Sequence, residues 1–575
     1  MKKIISIIVL CSAVIAANAV PARRGWQTRT QADGTSIEVQ VVGDEFYHYT
    51  VNRDGLRVRM NAEGNYEVVG EAPTNEEFKA RRAKAQARRA RQEIGVTPNL
   101  APRGVVILAN FSDTKFNSEH TRNVFDEMCN SAECTVNTYK GVDYPSAAEY
   151  FSAQSHGQYR PQFDVFGPVT LSKGYAYYGK DVGGEGEDQY AATAVVEACL
   201  LANEQYSDLN FKNYDSDGDG YVDFVYVIYA GQGQADGGGA NTIWPHNWEI
   251  ESAIYYGTCT YSSSQCRVDG KKLNNYAMSS ELSGSVLGGI GTLCHEFGHV
   301  MGLPDFYDTN YGTNYNNALT PNEWDVMDGG AYNGNGHCPP NYSPWEKYFF
   351  GWHTPLNLGT NGKRLTLEAN GTTGYQAYQV NESGNLQTAT TAGLNYYFEN
   401  RQQQGWDEYI PYSGLLIWKV NFNATKWQNN EPNNKANNPL YTIVCSSGTK
   451  IGSSYGARNV FPYGNVKSWE GVNGKPLTDI TREGELIHLV YISESTQYTV
   501  KWMVNGQVLE TARYDIDGSE DLRLPSIAVE ACEGTELVGW TKNDSWFDPF
   551  ELPDDLFTMP SGKVTQDITY YAIFK

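Results

Sequence analysis

Two histidines four residues apart, with a glutamate beside the first, carry the clearest chemistry in the sequence: His295-Glu296-x-x-His299. On a helix, residues at this spacing share a face, so both imidazoles can reach one tetrahedral metal. Zinc suits such a ligand set. It lowers the pKa of the water that it binds, and Glu296 stands where a general base would take that water's proton during attack on a carbonyl carbon. After the pair, Gly302 can end the helix in a left-handed turn and Pro304 prevents its resumption. Asp305 then arrives as a candidate third ligand; Glu323 is the alternative, and Asp308 can instead orient a ligand.

A second constellation stands upstream. Asp215-Ser-Asp217-Gly-Asp219-Gly-Tyr221-Val-Asp223 places carboxylates at alternate positions, with Gly218 for a sharp turn and the Tyr221 carbonyl as a fifth donor. This is calcium-loop chemistry. Tyr226 stands where an EF-hand needs glutamate, and the following residues read as a strand. A structural Ca2+ outside the EF-hand fold is therefore expected, with Asp215, Asp217, Asp219, Tyr221 and Asp223 as its ligands.

With the last His replaced by Asp305, His295, Glu296, His299 and Gly302 resemble the extended metzincin signature. Trp324-Asp325-Val326-Met327-Asp328-Gly329 resembles the methionine turn found beneath such metals. Together with the Leu303-Pro304-Asp305 continuation, these motifs resemble the immune inhibitor A family of secreted bacterial zinc metallopeptidases. Further likeness lies at Tyr397-Phe398-Glu399-Asn400-Arg401 and Gly414-Leu415-Leu416-Ile417-Trp418. The resemblance implies Zn2+ held by His295, His299 and Asp305, catalysis by Glu296, and structural support from Met327. It also implies an α+β metzincin-like zinc-peptidase catalytic domain, protein or peptide substrates, and manufacture as a zymogen. The rival is a catalytically inactive secreted adhesin or binding protein on the same scaffold.

The elements that must position these residues divide a chain of 575 residues, too long for one domain. Lys2 and Lys3, the apolar run Ile4 to Ile15 and Ala17-Asn18-Ala19 read as a signal peptide over 1–19, directing the protein to the extracellular space, periplasm or cell surface. No later apolar segment is long enough for a transmembrane span. Residues 20–103 read as a propeptide: alternating segments with turns at Asp33-Gly34 and Asp54-Gly55, then a basic helix, Glu76 to Glu93, containing Arg81-Arg82, Arg88-Arg89 and Arg91. Residues 1–103 carry a net charge of +5 within a chain of −23, leaving −28 on the remainder. So acidic a protein is a poor partner for nucleic acid.

Residues 104–354 read as the catalytic domain. Strands at Arg103–Phe111 and Phe163–Leu171 alternate with helices at Ser146–Ser155 and Ala191–Glu204, and a helix over Ser343–Trp352 closes it. Gly231 to Ala240 reads as a glycine-rich loop near the cleft, and His246 as a structural hydrogen bonder. Short strands over 355–495 suggest a β-sandwich, with the Asn-rich segment Asn429–Asn438 exposed. Residues 496–575, with the hairpin signal Asn505-Gly506, suggest a small β-grasp-like domain. It resembles an internalin-type surface repeat, implying either contact with a surface glycan or protein or a passive spacer. The pairs Cys129 with Cys134 and Cys259 with Cys266 are close enough to close small local loops.

Overall fold

Strands covered on both faces read as continuous apolar runs, and two such runs form the centre of the main sheet in the computed structural model. The structure describes residue 22 and residues 25–575, except 45–46, 62–63, 79, 82–97, 99, 182–187, 237, 310–318, 360–361, 436–437, 492–496, 516–520, 530, 532–533, 543–551, 560–561 and 565. The expected signal peptide, most of the basic helix and its arginines at 82, 88, 89 and 91 lie outside the described residues.

Five strands come first and pair antiparallel in sequence order: β1 (Gln27–Thr30), β2 (Ser36–Gly43), β3 (His48–Asn52), β4 (Leu56–Met60) and β5 (Tyr66–Glu71). The main sheet follows. It contains β6 (Arg103–Asn110), β7 (Gln162–Thr170), β8 (Val225–Gln232), β9 (His246–Glu249) and β10 (Asn275–Ser283), in the order β9-β10-β8-β6-β7. Strands β6, β7, β8 and β10 run parallel, and β9 is the antiparallel edge. The short β11 (Val286–Leu287) turns back along β10.

Side chains on successive strand residues face opposite sides. Val106, Leu108, Tyr226 and Ile228 therefore enter one core, together with helices α1 (Arg122–Asn130) and α2 (Ala147–Gln154). Val105, Ile107, Val225 and Val227 enter the other, covered by α3 (Ala191–Gln205). The first core also receives α4 (Gly291–Val300), which carries the His-Glu-x-x-His sequence. Next comes α5 (Pro344–Phe349), opened by a capping box in which Ser343 and Glu346 exchange backbone and side-chain hydrogen bonds. Among the described residues, no helix is long and apolar enough to cross a membrane.

The chain forms two compact units, and they do not follow the expected boundaries at 354 and 495. Residues 369–379 and 387–460 belong to the unit that holds the main sheet and α4, whereas 357–368, 380–386 and 461–575 form the other. Aromatic packing explains the first assignment. Strands β12 (Gly393–Arg401), β13 (Gly414–Phe422) and β14 (Tyr441–Ile443) pair antiparallel. Tyr441 stacks on Phe306 with ring centroids 3.6 Å apart, and Trp345 lies 5.7 Å from both Tyr441 and Trp427. At the end of β12, the buried Arg401 guanidinium is paired with Glu399 of the same strand at 3.2 Å and with Asp407 of the following turn at 2.5 Å. The residues expected as one β-sandwich are thus shared between two units.

In the second unit, Lys363–Leu367, Leu486–Tyr491, Lys475–Glu483 and Trp469–Val472 pair in that order as an antiparallel sheet. The C-terminal sheet has the order 2-1-4-3. Gln497–Val504 and Ile568–Phe574 run parallel at its centre, flanked by Gln507–Asp515 and Leu537–Thr541. Asn505 and Gly506 both take positive φ, 50° and 78°, as a two-residue hairpin turn demands. Trp502 and Tyr570 stack in its core.

Candidate metal centre

Helix α4 presents His295 and His299 on one face, and a Schellman turn closes it. The Leu303 N–H donates to the Gly298 carbonyl and the Gly302 N–H to that of His299, with Gly302 at φ 104°. This reversal carries Pro304 and Asp305 back against the histidines. His295 Nε2 and His299 Nε2 lie 3.1 Å apart, and Asp305 Oδ1 is 3.2 Å from the first and 3.3 Å from the second. All three residues, and Glu296 beside them, are buried.

Donor chemistry decides what this geometry can hold. The His295 Nδ1–H donates to the Val326 carbonyl at 2.8 Å, and the His299 Nδ1–H to the Leu303 carbonyl at 2.8 Å. A neutral imidazole that donates through Nδ1 offers only a lone pair at Nε2. Three lone-pair atoms therefore converge, an arrangement that calls for a shared cation. Ligands about 2.0 to 2.1 Å from a tetrahedral zinc lie about 3.3 Å from one another, so the residues present fit the ion. Toward a proton the site behaves the same way. Burial disfavours a charged His295, but Asp305 and Glu296 outweigh it and push its pKa up to about 9. Burial likewise opposes ionisation of Asp305, yet the two histidines outweigh it and hold its pKa down at about 2. Burial dominates at His299, whose pKa is lowered.

Beneath the histidines lies Met327. A Cβ on Gly298, the residue preceding His299, would stand 2.5 Å from the Met327 sulfur, so glycine lets the thioether approach the helix. The preceding turn is held by Asp325, which accepts the Met327 N–H at 2.8 Å and the Tyr441 hydroxyl at 2.9 Å. Neither Glu323 nor Asp308 belongs to the group of converging donors. Cys294 is buried, and burial raises its pKa far above the ordinary thiol range. His246 is spent structurally: its Nδ1–H donates to the Trp244 carbonyl at 2.6 Å, and Nε2 meets the Tyr276 hydroxyl at 2.9 Å.

The segment Asn429–Asn438, expected to be exposed, contributes directly. Asn430 and Asn433 are 5% and 1% exposed. The Asn430 side-chain amide donates to Asp305 Oδ2 at 2.6 Å, and its oxygen accepts the Asp305 N–H at 2.6 Å. Asn433 anchors the loop by donating to the Phe306 and Tyr441 carbonyls and accepting the Tyr441 N–H. No local pattern marks these asparagines out, because Asp305 and Phe306, which they hold, lie more than 120 residues upstream.

Of the five expected calcium ligands, the fold gathers three carboxylates: Asp215, Asp217 and Asp223. Asp219 stands outside this group, and its Oδ1 accepts the Tyr221 N–H at 2.8 Å in a local Asx turn. Tyr221 bridges to Lys272 through the backbone. The Lys271 ammonium pairs with Asp215 and, as the main cause, holds its pKa down. Burial raises that of Asp223, with Asp217 and Asp215 adding to the effect.

The glycine-rich loop faces two ways. On one side, Asp236 lines a cavity with Ser279, Ser280, Gly289 and Thr292, one helical turn before His295. On the other, Trp244 and Ala235 pack with Ala22 and Val41 of the N-terminal segment, and His48 stacks on Trp244 at 4.2 Å. Arg29 of β1 hydrogen-bonds the Asp236 carbonyl.

Residues 105–358 match the family model described as immune inhibitor A peptidase M6, catalytic domain. The mixed α/β content of this M6-like region agrees with a metallopeptidase fold. Immune inhibitor A from Bacillus thuringiensis subsp. alesti is 31% identical over 224 residues, covering 35% of this chain and 31% of the relative. The pre-pro-metalloprotease PrtV of Vibrio cholerae serotype O1 (strain M66-2) is 27% identical over 264 residues, covering 42% of this chain and 28% of PrtV. The match thus spans less than a third of the length of each relative.

Proposed function

We propose that this protein is a secreted zinc-dependent endopeptidase, made as a zymogen and acting on extracellular proteins or peptides. The observation that carries the reading is the meeting of three buried lone-pair donors, His295 Nε2, His299 Nε2 and Asp305 Oδ1, within 3.3 Å. The likeness of residues 105–358 to M6 peptidases supports it. Zinc, when bound there, supplies the Lewis acidity that makes water a nucleophile and polarises a carbonyl near neutral pH. His295, His299 and Asp305 hold the ion, and the Val326 and Leu303 carbonyls orient the two rings. Glu296 takes the proton of the attacking water and returns it to the departing amine. Met327 supports the site from below and stays out of the chemistry.

The remaining assignments belong to the same proposal. Residues 1–19 are the signal peptide and 20–103 the propeptide; the basic charge of the latter and its packing on Trp244 support docking against the acidic enzyme. Asp215, Asp217 and Asp223 hold a structural Ca2+. The 2-1-4-3 order of the C-terminal sheet supports the β-grasp-like reading of 496–575, as a repeat that contacts a surface glycan or protein.

Casein hydrolysis by the processed protein tests the catalytic core. Glu296→Gln is expected to lower kcat by about 10²- to 10⁴-fold, the usual worth of a general base, while zinc still binds. Removal of zinc by a chelator should abolish activity, and zinc should restore it. A wild-type protein that binds zinc stoichiometrically yet cleaves no protein or peptide would instead favour the binding-protein reading.

A further inference from the structure

The carboxylate of Asp305 has two oxygens with different duties. Oδ1 faces the histidine nitrogens, and Oδ2 accepts the Asn430 amide at 2.6 Å. Asn430 also accepts the Asp305 backbone N–H, so one side chain grips both the main chain and the carboxylate of the same residue. This clamp comes from a loop 125 positions downstream, beyond the region similar to M6 catalytic domains. We propose that Asn430 is a positioning residue for the metal centre: it fixes the rotation of the Asp305 carboxylate so that Oδ1 alone points at the ion.

Several features make Asn430 a built clamp. The residue is buried, and its φ of 54° lies in the left-handed region that Asn tolerates better than most residues. Its carbonyl faces the Thr309 hydroxyl at 3.2 Å, and Asn433 pins the same loop to Phe306, next to the ligand. A ligating carboxylate with free torsions would lose rotational entropy on binding the ion, whereas a hydrogen-bonded one is already in place. An amide also suits the task better than a cation would. It engages Oδ2 without neutralising the charge that Oδ1 offers to zinc.

The proposal rests on zinc binding by His295, His299 and Asp305, and the experiment separates the two. Zinc affinity is measured by competition with a chromophoric chelator on the full chain, alongside the visible absorption of the Co2+-substituted protein. Asn430→Gly removes the amide while suiting the positive φ, and Asn430→Asp keeps the shape but places an acceptor against an acceptor. Asn433→Ala perturbs the same loop without touching the carboxylate. Both Asn430 variants should bind zinc about 10- to 100-fold more weakly, as expected for loss of an outer-shell partner. Both should also shift the Co2+ bands, whereas Asn433→Ala should lower the melting temperature and leave the bands in place. Folded Asn430 variants with wild-type affinity and spectrum would overturn the role. A wild-type protein that binds no zinc would overturn the metal centre itself.

Discussion

At the scale of single residues, the site is a competition between a metal ion and one proton. His295 has its pKa pushed up to about 9, while Asp305 lies at about 2 and His299 is lowered. Below about pH 9, the metal-free site therefore carries a proton on His295, and the ion must displace it. The sign follows directly: binding releases about one proton, so apparent zinc affinity should fall about tenfold for each pH unit below 9. Isothermal titration in buffers of different ionisation enthalpy would count that proton. A proton release near zero at pH 7 would show that His295 is neutral before zinc arrives. The His295–His299 pairing was legible from a five-residue pattern, since i and i+4 share a helix face. The choice of Asp305 over Glu323 was open in the sequence and depended on how the chain turned at Gly302.

The element that matters most is α4 with the turn beneath it. Its fit against Met327 depends on Gly298, whose added Cβ would stand 2.5 Å from the sulfur and 3.2 Å from the terminal methyl. Gly298→Ala should destabilise the fold by about 1 to 3 kcal/mol through overpacking, and weaken zinc binding by pushing the turn away. Combining it with Met327→Ala should cost less than the sum of the two single changes, because the second removes the atom that the first strikes. Urea unfolding of the four proteins measures this, and strict additivity would refute direct contact. Helices α2 and α5 and strands β6 and β8 were legible from local patterns, each within its own stretch. The part of the first core where Tyr441, Trp345 and Phe306 meet was not. Its rings come from segments that local periodicity assigns to separate domains.

For the whole molecule, the acidic loop 215–223 leads straight into β8, the central strand that pairs with both β6 and β10. Calcium held by Asp215, Asp217 and Asp223 would therefore support the strand on which both cores depend. Saturating Ca2+, at about 100-fold above its dissociation constant, should add roughly 2.7 kcal/mol to stability and raise the melting temperature. Asp217→Asn with Asp223→Asn should remove the response, which calorimetry with and without a calcium-selective chelator would detect. An unchanged melting temperature in the wild type would leave Lys271, already paired with Asp215, as the loop's own neutralising charge. The division into two units also belongs to this scale. It puts 387–460 with the main sheet and α4 and supplies Asn430 to Asp305.

Local rules determine what one short stretch can do, and this sequence states its local rules plainly. The pitch of a helix pairs His295 with His299, a glycine and a proline end that helix, and Asn505-Gly506 makes a hairpin, each within a few residues. Tertiary structure alone decided which carboxylate meets the histidines, which of the five calcium-loop positions converge, and where the compact units divide. It also buried Asn430 and Asn433 of a loop that composition assigns to the surface, while Lys435 and Asn438 stay exposed. Burial and hydrogen bonding are settled between elements more than a hundred residues apart, and nothing in the spacing of one stretch encodes the partner that covers it.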